Sequence, residues 1–413
     1  MGSKFQAPRG TFDVLPAAAR TRRRIEHAAG AIFARAGYER IATPSFEDTE
    51  LFERGVGHST DIVRKEMFTF EDKGGRSLTL RPEGTAPICR AYLEHGMQQL
   101  AQPVKLCYVG PFFRHERPQA GRYRQFHQLG AEAIGTDSPL ADAELIGLLA
   151  ELVAELGVPG VELRLGSLGS LDARQAYTEE LRAHLRAHEG DLAEEVRERI
   201  DANPLRAFDS DDEGTAAVME AAPKLVERLE GEDAEHFAEV RALLDAAGIE
   251  YAIDPTLVRG LDYYTRTIFS FVCDRLGAQS EIGGGGRYDG LVEQLGGKPT
   301  PAVGWAAGIE RIMLALGEEE DGARRDVFVA VAEGGDPRRA AIVAAELRHA
   351  GLSAEIDLAG RGLKGQLKHA DRIGARRVLI LDAAGAELRD MASGEQRPID
   401  TARLAEEIAG GEL

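Results

Sequence analysis

The chain has 413 residues, long enough for two or three domains, and its 43% hydrophobic and 29% charged content suits a soluble globular protein and not a disordered one. Its formal net charge is -19, yet residues 170–250 alone hold 22 Asp and Glu against 9 Lys and Arg, so the acidity is concentrated and local basic surfaces can still meet a polyanion. Three scattered cysteines, Cys89, Cys107 and Cys273, exclude a disulfide framework; with no apolar leader and no run of about 18 apolar residues, a reducing cytoplasm and no membrane contact are expected.

The first element is an amphipathic helix over 17–36, with Ile25, Ala29, Ile32, Phe33 and Ala36 at helical spacing and Gly37 as its stop. Residues 38–46 turn extended, and Pro44 confines that strand to an edge or an end. Strands follow at "SLTLRPEG", "VKLCYVGPFFRHE" and "YRQFHQLGAEAIG", close enough in sequence for antiparallel pairing. Ser138 and Pro139 then open a helix carrying Leu145, Leu148, Leu149, Val153 and Leu156. Residues 170–250 are helical, acidic and poor in strands, which marks an insertion. Strand character returns at "TRTIFSFVC" and "EIGGGGRYDGL", and "PAVGWAAGIERIMLAL" reads as strand, glycine bend and helix. Beyond a charged connector at 317–325, "DVFVAVA", "SAEIDL" and "RRVLILD" alternate with two helices as βαβαβ, implying a small parallel or mixed sheet.

Strand periodicity places chemistry on one face of the central hairpin. Arg114 and Glu116 fall together on one strand, and Arg124, Phe126, Gln128, Gly130 and Glu132 on the other, with Arg117 and Arg122 at the tip. Guanidinium forks match phosphate oxygens, an aromatic ring covers a purine, and a carboxylate beside an amide holds a polar ligand end; the competing reading is a solvated sheet face. In "TLRPEGTAP", alternation groups Arg81, Glu83 and Thr85, which could receive an ammonium group or simply end an edge strand at proline. "TLVRGLDYYTRT" offers Arg259 in a glycine-containing turn with the paired Tyr263 and Tyr264, against a tyrosine-rich core strand as the alternative.

Four successive glycines, 283–286, mean either a closely approached backbone or a loose loop; they form no Walker loop, because Lys298 is followed by proline. Gly304, Gly308 and Arg311 place an arginine in the first turns of a helix behind small residues, within reach of a phosphate, although helix arginines more often face solvent. His184 and His188 have a metal-capable spacing without a third ligand, and "DSDDEG" lacks the calcium-loop pattern, so no metal site is expected from either.

Taken in order, these peptides resemble a known family. "FRHERPQAGRYRQFHQLGAE" is similar to motif 2 of the class II aminoacyl-tRNA synthetases and "GIERIMLAL" to motif 3. "LVRGLDYYTRT" and "GGGGRYDGL" resemble two signature peptides of the histidyl-tRNA synthetase family, which "RGTFDVLP" and "TLRPEGTAP" also fit. The resemblance implies an α+β fold: an antiparallel catalytic sheet flanked by helices over 1–320, with the helical insertion at about 170–250, and a C-terminal α/β domain at 325–413 that grips the anticodon of histidine tRNA. It implies a homodimer built around the helix before Pro44, with ATP and Mg²⁺ as reaction partners. Glu116 would contact the adenine and Phe126 stack on it, Arg114 hold the α-phosphate, Arg311 the γ-phosphate, and Arg122 assist. The amino group of histidine would meet Glu83 and Thr85, and its imidazole Glu132, Tyr288 and the Tyr263–Tyr264 pair. Gln128 would lie near its carboxylate, glycines 283–286 form a wall, and Arg259 act as the catalytic arginine opposite Arg114. Gly166 departs from the family, which often has Asn there. A synthetase-like regulatory subunit would lack the C-terminal domain and the signature arginine, both present in this chain.

Overall fold

The computed structural model describes residues 5–57, 60–210, 212–277, 280–317 and 325–401, so most of the charged connector lies outside the described residues. The chain divides into two compact units, Met1–Glu318 and Glu319–Leu413.

The first unit is built on an eight-stranded sheet. Its strands run in the spatial order Glu39–Arg40, Val104–Phe113, Gln125–Ile134, Ala302–Gly308, Glu281–Arg287, Thr265–Cys273, Val161–Ser167 and Ala252–Ile253. The six inner strands pair antiparallel, and only the two short edge strands pair parallel. One face is covered by the helix Pro16–Arg35, which starts at a proline in its first turn and buries Ile25, Ala28, Ala29, Ile32 and Phe33 at i, i+3, i+4 spacing. Beside it lies the helix Pro139–Leu156, capped by the Ser138 hydroxyl, which accepts from the Leu140 N–H.

Two local expectations are corrected. The extended stretch 38–46 is two strands: Glu39–Arg40 edges the large sheet, while Phe46–Asp48 joins a three-stranded sheet with Ser77–Leu80 and Phe68–Glu71. Pro44, without an N–H, separates them. Strand "SLTL" therefore belongs to this small sheet and ends at Leu80, and a helix, Thr85–Glu94, begins where alternation was extended through Thr85.

The acidic insertion is a crossover between strands Val161–Ser167 and Ala252–Ile253, which lie next to each other in the sheet. It contributes the helices Leu171–Ala187, Glu194–Arg197, Glu213–Glu220 and Gly231–Ala246. The last of these packs Phe237, Val240 and Leu244 into the main core, whereas Tyr177, Leu181 and Leu185 join the cluster beneath the tyrosines of the 263–264 segment.

The second unit holds a five-stranded sheet in the order Ala354–Ile356, Arg325–Val331, Ala375–Leu381, Ala386–Asp390, Gln396–Pro398, the first three parallel and the last two antiparallel. Helices Pro337–His349 and Leu363–Arg372 supply the two crossovers. The final hairpin extends the expected βαβαβ into a mixed sheet.

Candidate active site

The glycine strand Glu281–Arg287 sits at the centre of the large sheet, so the loose-loop alternative is ruled out. Its side-chain-free face lies beside Arg259: a Cβ on Gly284 would stand 2.8 Å from Arg259 Nη1. On the adjacent strand a Cβ on Gly304 would stand 1.6 Å from Glu132 Oε2, so only glycine leaves room for that carboxylate. Arg287 closes the strand fully buried, donating to Asp142 Oδ2 at 2.6 and 2.9 Å and to the Thr136 and Ser138 carbonyls at 2.9 and 2.7 Å. Burial pushes the Asp142 carboxyl up to about 6 despite Arg287, and lowers His236, which accepts from Arg287 Nε, to about 4.

A cavity of about 590 Å³ opens over this floor. At its dry end Glu83, just ahead of helix Thr85–Glu94, accepts from the backbone N–H groups of Thr85 and Ala86 at 2.7 and 2.9 Å. The Thr85 hydroxyl donates to Glu132 Oε1 at 2.9 Å and the Tyr288 hydroxyl to Glu132 Oε2 at 2.7 Å. Burial drives Glu132 up to about 8 against those two hydrogen bonds, with Glu83 adding repulsion; Glu83 is raised by burial as well. Tyr263 packs against Tyr264 and Tyr288, ring centroids 4.7 and 5.8 Å away.

The other end gathers guanidinium groups. Arg114 donates from Nε to the Pro82 carbonyl at 2.8 Å and lies 5.3 Å from the Phe126 ring centroid. Arg122 pairs with Glu116 at 3.2 Å. Arg311 donates to the Gly121 and Glu281 carbonyls. Arg259 donates to Glu281 Oε2 at 2.9 Å and lies over the Tyr264 ring at 5.5 Å. Burial opposes the Arg259 charge, but Glu281 and Tyr264 outweigh it and raise its pKa. Burial would raise Glu281; Arg259 and Arg311, with the Ser270 hydroxyl, hold it below the usual carboxylate range. Among the described residues, Gln128 Oε1 and Arg259 Nε are buried polar atoms without a hydrogen-bond partner, and both residues line the cavity.

The cavity thus collects Glu83, Thr85, Arg114, Glu116, Arg122, Phe126, Gln128, Arg259, Tyr263, Tyr264 and Arg311 from the residues singled out in the sequence. Glu132 and Tyr288 stand behind its wall, fully buried, and reach it through Thr85. Two members of the periodic groupings are elsewhere. Arg81 turns away to the Thr43 and Pro111 carbonyls, because the chain leaves the strand at Leu80, and Arg124 braces the Glu116 carbonyl. Glu281, Glu310 and Arg206 also line the cavity and carried no sequence signal of their own; Glu310 fixes His127, accepting from its backbone N–H at 2.9 Å. His184 and His188 are engaged with the Val218 and His184 carbonyls.

An antiparallel sheet that sets the buried carboxyls of Glu83 and Glu132 beside clustered guanidinium groups and an aromatic ring fits an amino-acid-activating enzyme of the class II aminoacyl-tRNA synthetase type. Residues 10–312 match the family model described as Histidyl-tRNA synthetase, and residues 326–410 match the Anticodon binding domain model. The chain belongs to the histidyl-tRNA synthetase family and is a ligase that activates histidine and charges tRNA. It is 47% identical to the Histidine--tRNA ligase of Halothermothrix orenii, covering 98% of each chain. It is similar to the crystal structure of apo S. aureus histidyl-tRNA synthetase, with TM-score 0.81, 36% identity and 98% and 99% of the two chains covered. A structure titled as an ATP phosphoribosyltransferase regulatory subunit/histidyl-tRNA synthetase from Bacillus halodurans shares the fold at TM-score 0.68 and 24% identity, covering 93% of this chain and 100% of that one.

Proposed function

We propose that Arg114 and Arg259 carry the activation step of a histidine--tRNA ligase. The observation that supports this is their meeting in one cavity from distant parts of the chain, each already fixed by a partner. A histidine carboxylate oxygen attacks the α-phosphorus of ATP; the new P–O bond forms as the bond to pyrophosphate breaks. Charge gathers on the non-bridging oxygens, where prepositioned guanidinium groups stabilise it with little reorganisation. Phe126 and Glu116 hold the adenine, and Arg122 and Arg311 the outer phosphates. Glu83 and Thr85 take the ammonium group, Gln128 the carboxylate side, and Glu132 with Tyr263, Tyr264 and Tyr288 the imidazole. A hydroxyl of the terminal ribose of histidine tRNA then attacks the activated carbonyl carbon and AMP leaves. Shared placement on one sheet supplies the proximity term.

Magnesium would enter with the triphosphate and offset charge on the departing pyrophosphate. Among the described residues no cluster of three or more His, Cys, Asp or Glu side chains could hold a metal ion. Residues 325–413 would grip the anticodon. A homodimer built around the helix before Pro44 is part of the same reading. So is a cytoplasmic location, which suits three buried free thiols. Among the described residues no helix is long and apolar enough to cross a membrane. The test is pyrophosphate exchange with each amino acid in turn. Histidine alone should support it, and Arg259→Ala should cut it by at least about a hundredfold with the fold intact, as for loss of one preorganised donor. Near-normal exchange in that variant would refute the role of Arg259.

A further inference from the structure

The acidic insertion turns several of its few basic side chains toward the catalytic sheet. Arg174, on its first helix, donates from Nη1 to the Asp262 carbonyl at 2.7 Å and to the Tyr264 carbonyl at 2.9 Å. Asn203 donates to Asp262 Oδ1 at 3.2 Å, and Arg206 donates to the Gly260 carbonyl at 3.2 Å while lining the cavity. All of these acceptors lie between Gly260 and Tyr264, the segment that directly follows Arg259. That segment is also tied to the catalytic side by the Asp262 N–H donating to the Val56 carbonyl at 3.2 Å and by Tyr263, whose hydroxyl donates to Glu83 Oε2 at 3.5 Å and whose ring packs on Tyr288, and it is irregular, with no strand ladder of its own until Thr265. Arg174 is buried enough that its guanidinium pKa is lowered, yet it is aimed at two carbonyls and not at a carboxylate. Such a fork fixes backbone position, because its donors are rigid relative to each other.

We propose that Arg174, Asn203 and Arg206 are positioning residues through which the insertion holds the 260–264 segment, and with it Arg259, in its activation-competent place. This rests on the assignment of Arg259 above. The insertion is then a working part of the adenylation site: movement of its first helix displaces the catalytic guanidinium, which couples whatever the insertion binds to the chemistry.

The experiment is a double-mutant cycle on pyrophosphate exchange in the full-length protein. Arg174→Ala should lower kcat by about tenfold or more, the scale of a small misplacement of a catalytic group, and leave the KM for ATP within about twofold, at a temperature where circular dichroism shows the fold retained. Arg174→Lys, which keeps a donor near the carbonyls, should recover part of the loss. In an Arg259→Ala background, Arg174→Ala should add nearly nothing. If the two losses multiply, Arg174 acts independently of Arg259 and the proposal is overturned; the same holds if Arg174→Ala lowers only the melting temperature. If Arg174→Ala does not fold, Asn203→Ala carries the same cycle with a smaller effect expected, and multiplicative losses there overturn the proposal too. Full exchange in Arg259→Ala alone would instead remove the underlying assignment, so the two failures are distinct.

Discussion

The two ends of the cavity are built on opposite principles. At the floor, Glu83 and Glu132 are buried, satisfied by two backbone N–H groups and two hydroxyls, and raised in pKa by lost hydration. At the mouth, Arg122 and Arg259 rest on Glu116 and Glu281. The floor is preorganised for a small, fixed ligand. At the mouth two guanidinium groups are paired with carboxylates while Arg114 and Arg311 are held by carbonyls, and under the proposed function they would exchange these partners for phosphate oxygens, which offer fork geometry. A substitution at the floor should therefore act on histidine, and one at the mouth on the nucleotide.

Glu132→Gln should give the largest separation of the two. Losing a hydrogen bond at a buried carboxyl, with its partner left unsatisfied at a cost of about 1–3 kcal/mol, should raise the histidine KM by about 5- to 150-fold, with the ATP KM little changed. The same variant has a pH signature. A carboxyl raised from 4.5 to about 8 keeps its proton in the folded state while the unfolded chain releases it, so stability falls as pH rises from about 4.5 to about 8. Thermal melts of the ligand-free protein at pH 5 and pH 8 should differ less for Glu132→Gln than for the parent chain. Equal slopes would mean that Glu132 is ionised throughout.

Gly304→Ala comes next. Its methyl group would collide with the Glu132 carboxylate, so about 1–3 kcal/mol of stability should be lost and the histidine KM should rise, again without a matching change for ATP. The smallest effect belongs to the mouth. Arg122 is 40% exposed and its ion pair is worth about 0–1 kcal/mol, so Arg122→Ala should raise the ATP KM by no more than about fivefold and leave histidine alone. A larger shift in histidine KM than in ATP KM would break the division between the two ends.

Much of this was legible because strands alternate. Phe126 and Gln128 could be placed on one face from period two, and they line the cavity; Arg114 and Glu116 line it too, although the strand expected to carry them ends at Phe113. The same rule failed at Arg81, where the chain leaves the strand and begins a helix: the ending depends on Pro82 and on which sheet Leu80 joins, and the latter is a tertiary matter. Glu83 and Thr85 nevertheless share a site, because a helix N-terminus and a strand end can both present a carboxylate beside a hydroxyl. Arg124 failed for a different reason, since the ordered strand begins one residue later, at Gln125, and its side chain is captured by the Glu116 carbonyl. Glu281 and Arg206 could not be found at all. Their roles depend on partners distant in sequence, among them Arg259, 22 residues from Glu281, and Gly260, 54 residues from Arg206. The last two strands of the C-terminal unit were missed because they are short: Ala386–Asp390 alternates buried Ala386 and Leu388 with charged residues over only five positions, and Gln396–Pro398 spans three and ends in proline.

The buried Arg287–Asp142 contact has a consequence for how the floor is assembled. A run of four glycines has no side chains with which to sense its neighbours, so within that strand apolar packing acts through Ile282 at one end, buried in the main core. Arg287 pins the other end, where its guanidinium meets Asp142 and two carbonyls. A slip by one residue would carry the Tyr288 hydroxyl to the opposite face of the sheet, leaving the Glu132 carboxyl with the Thr85 hydroxyl as a donor but not that of Tyr288.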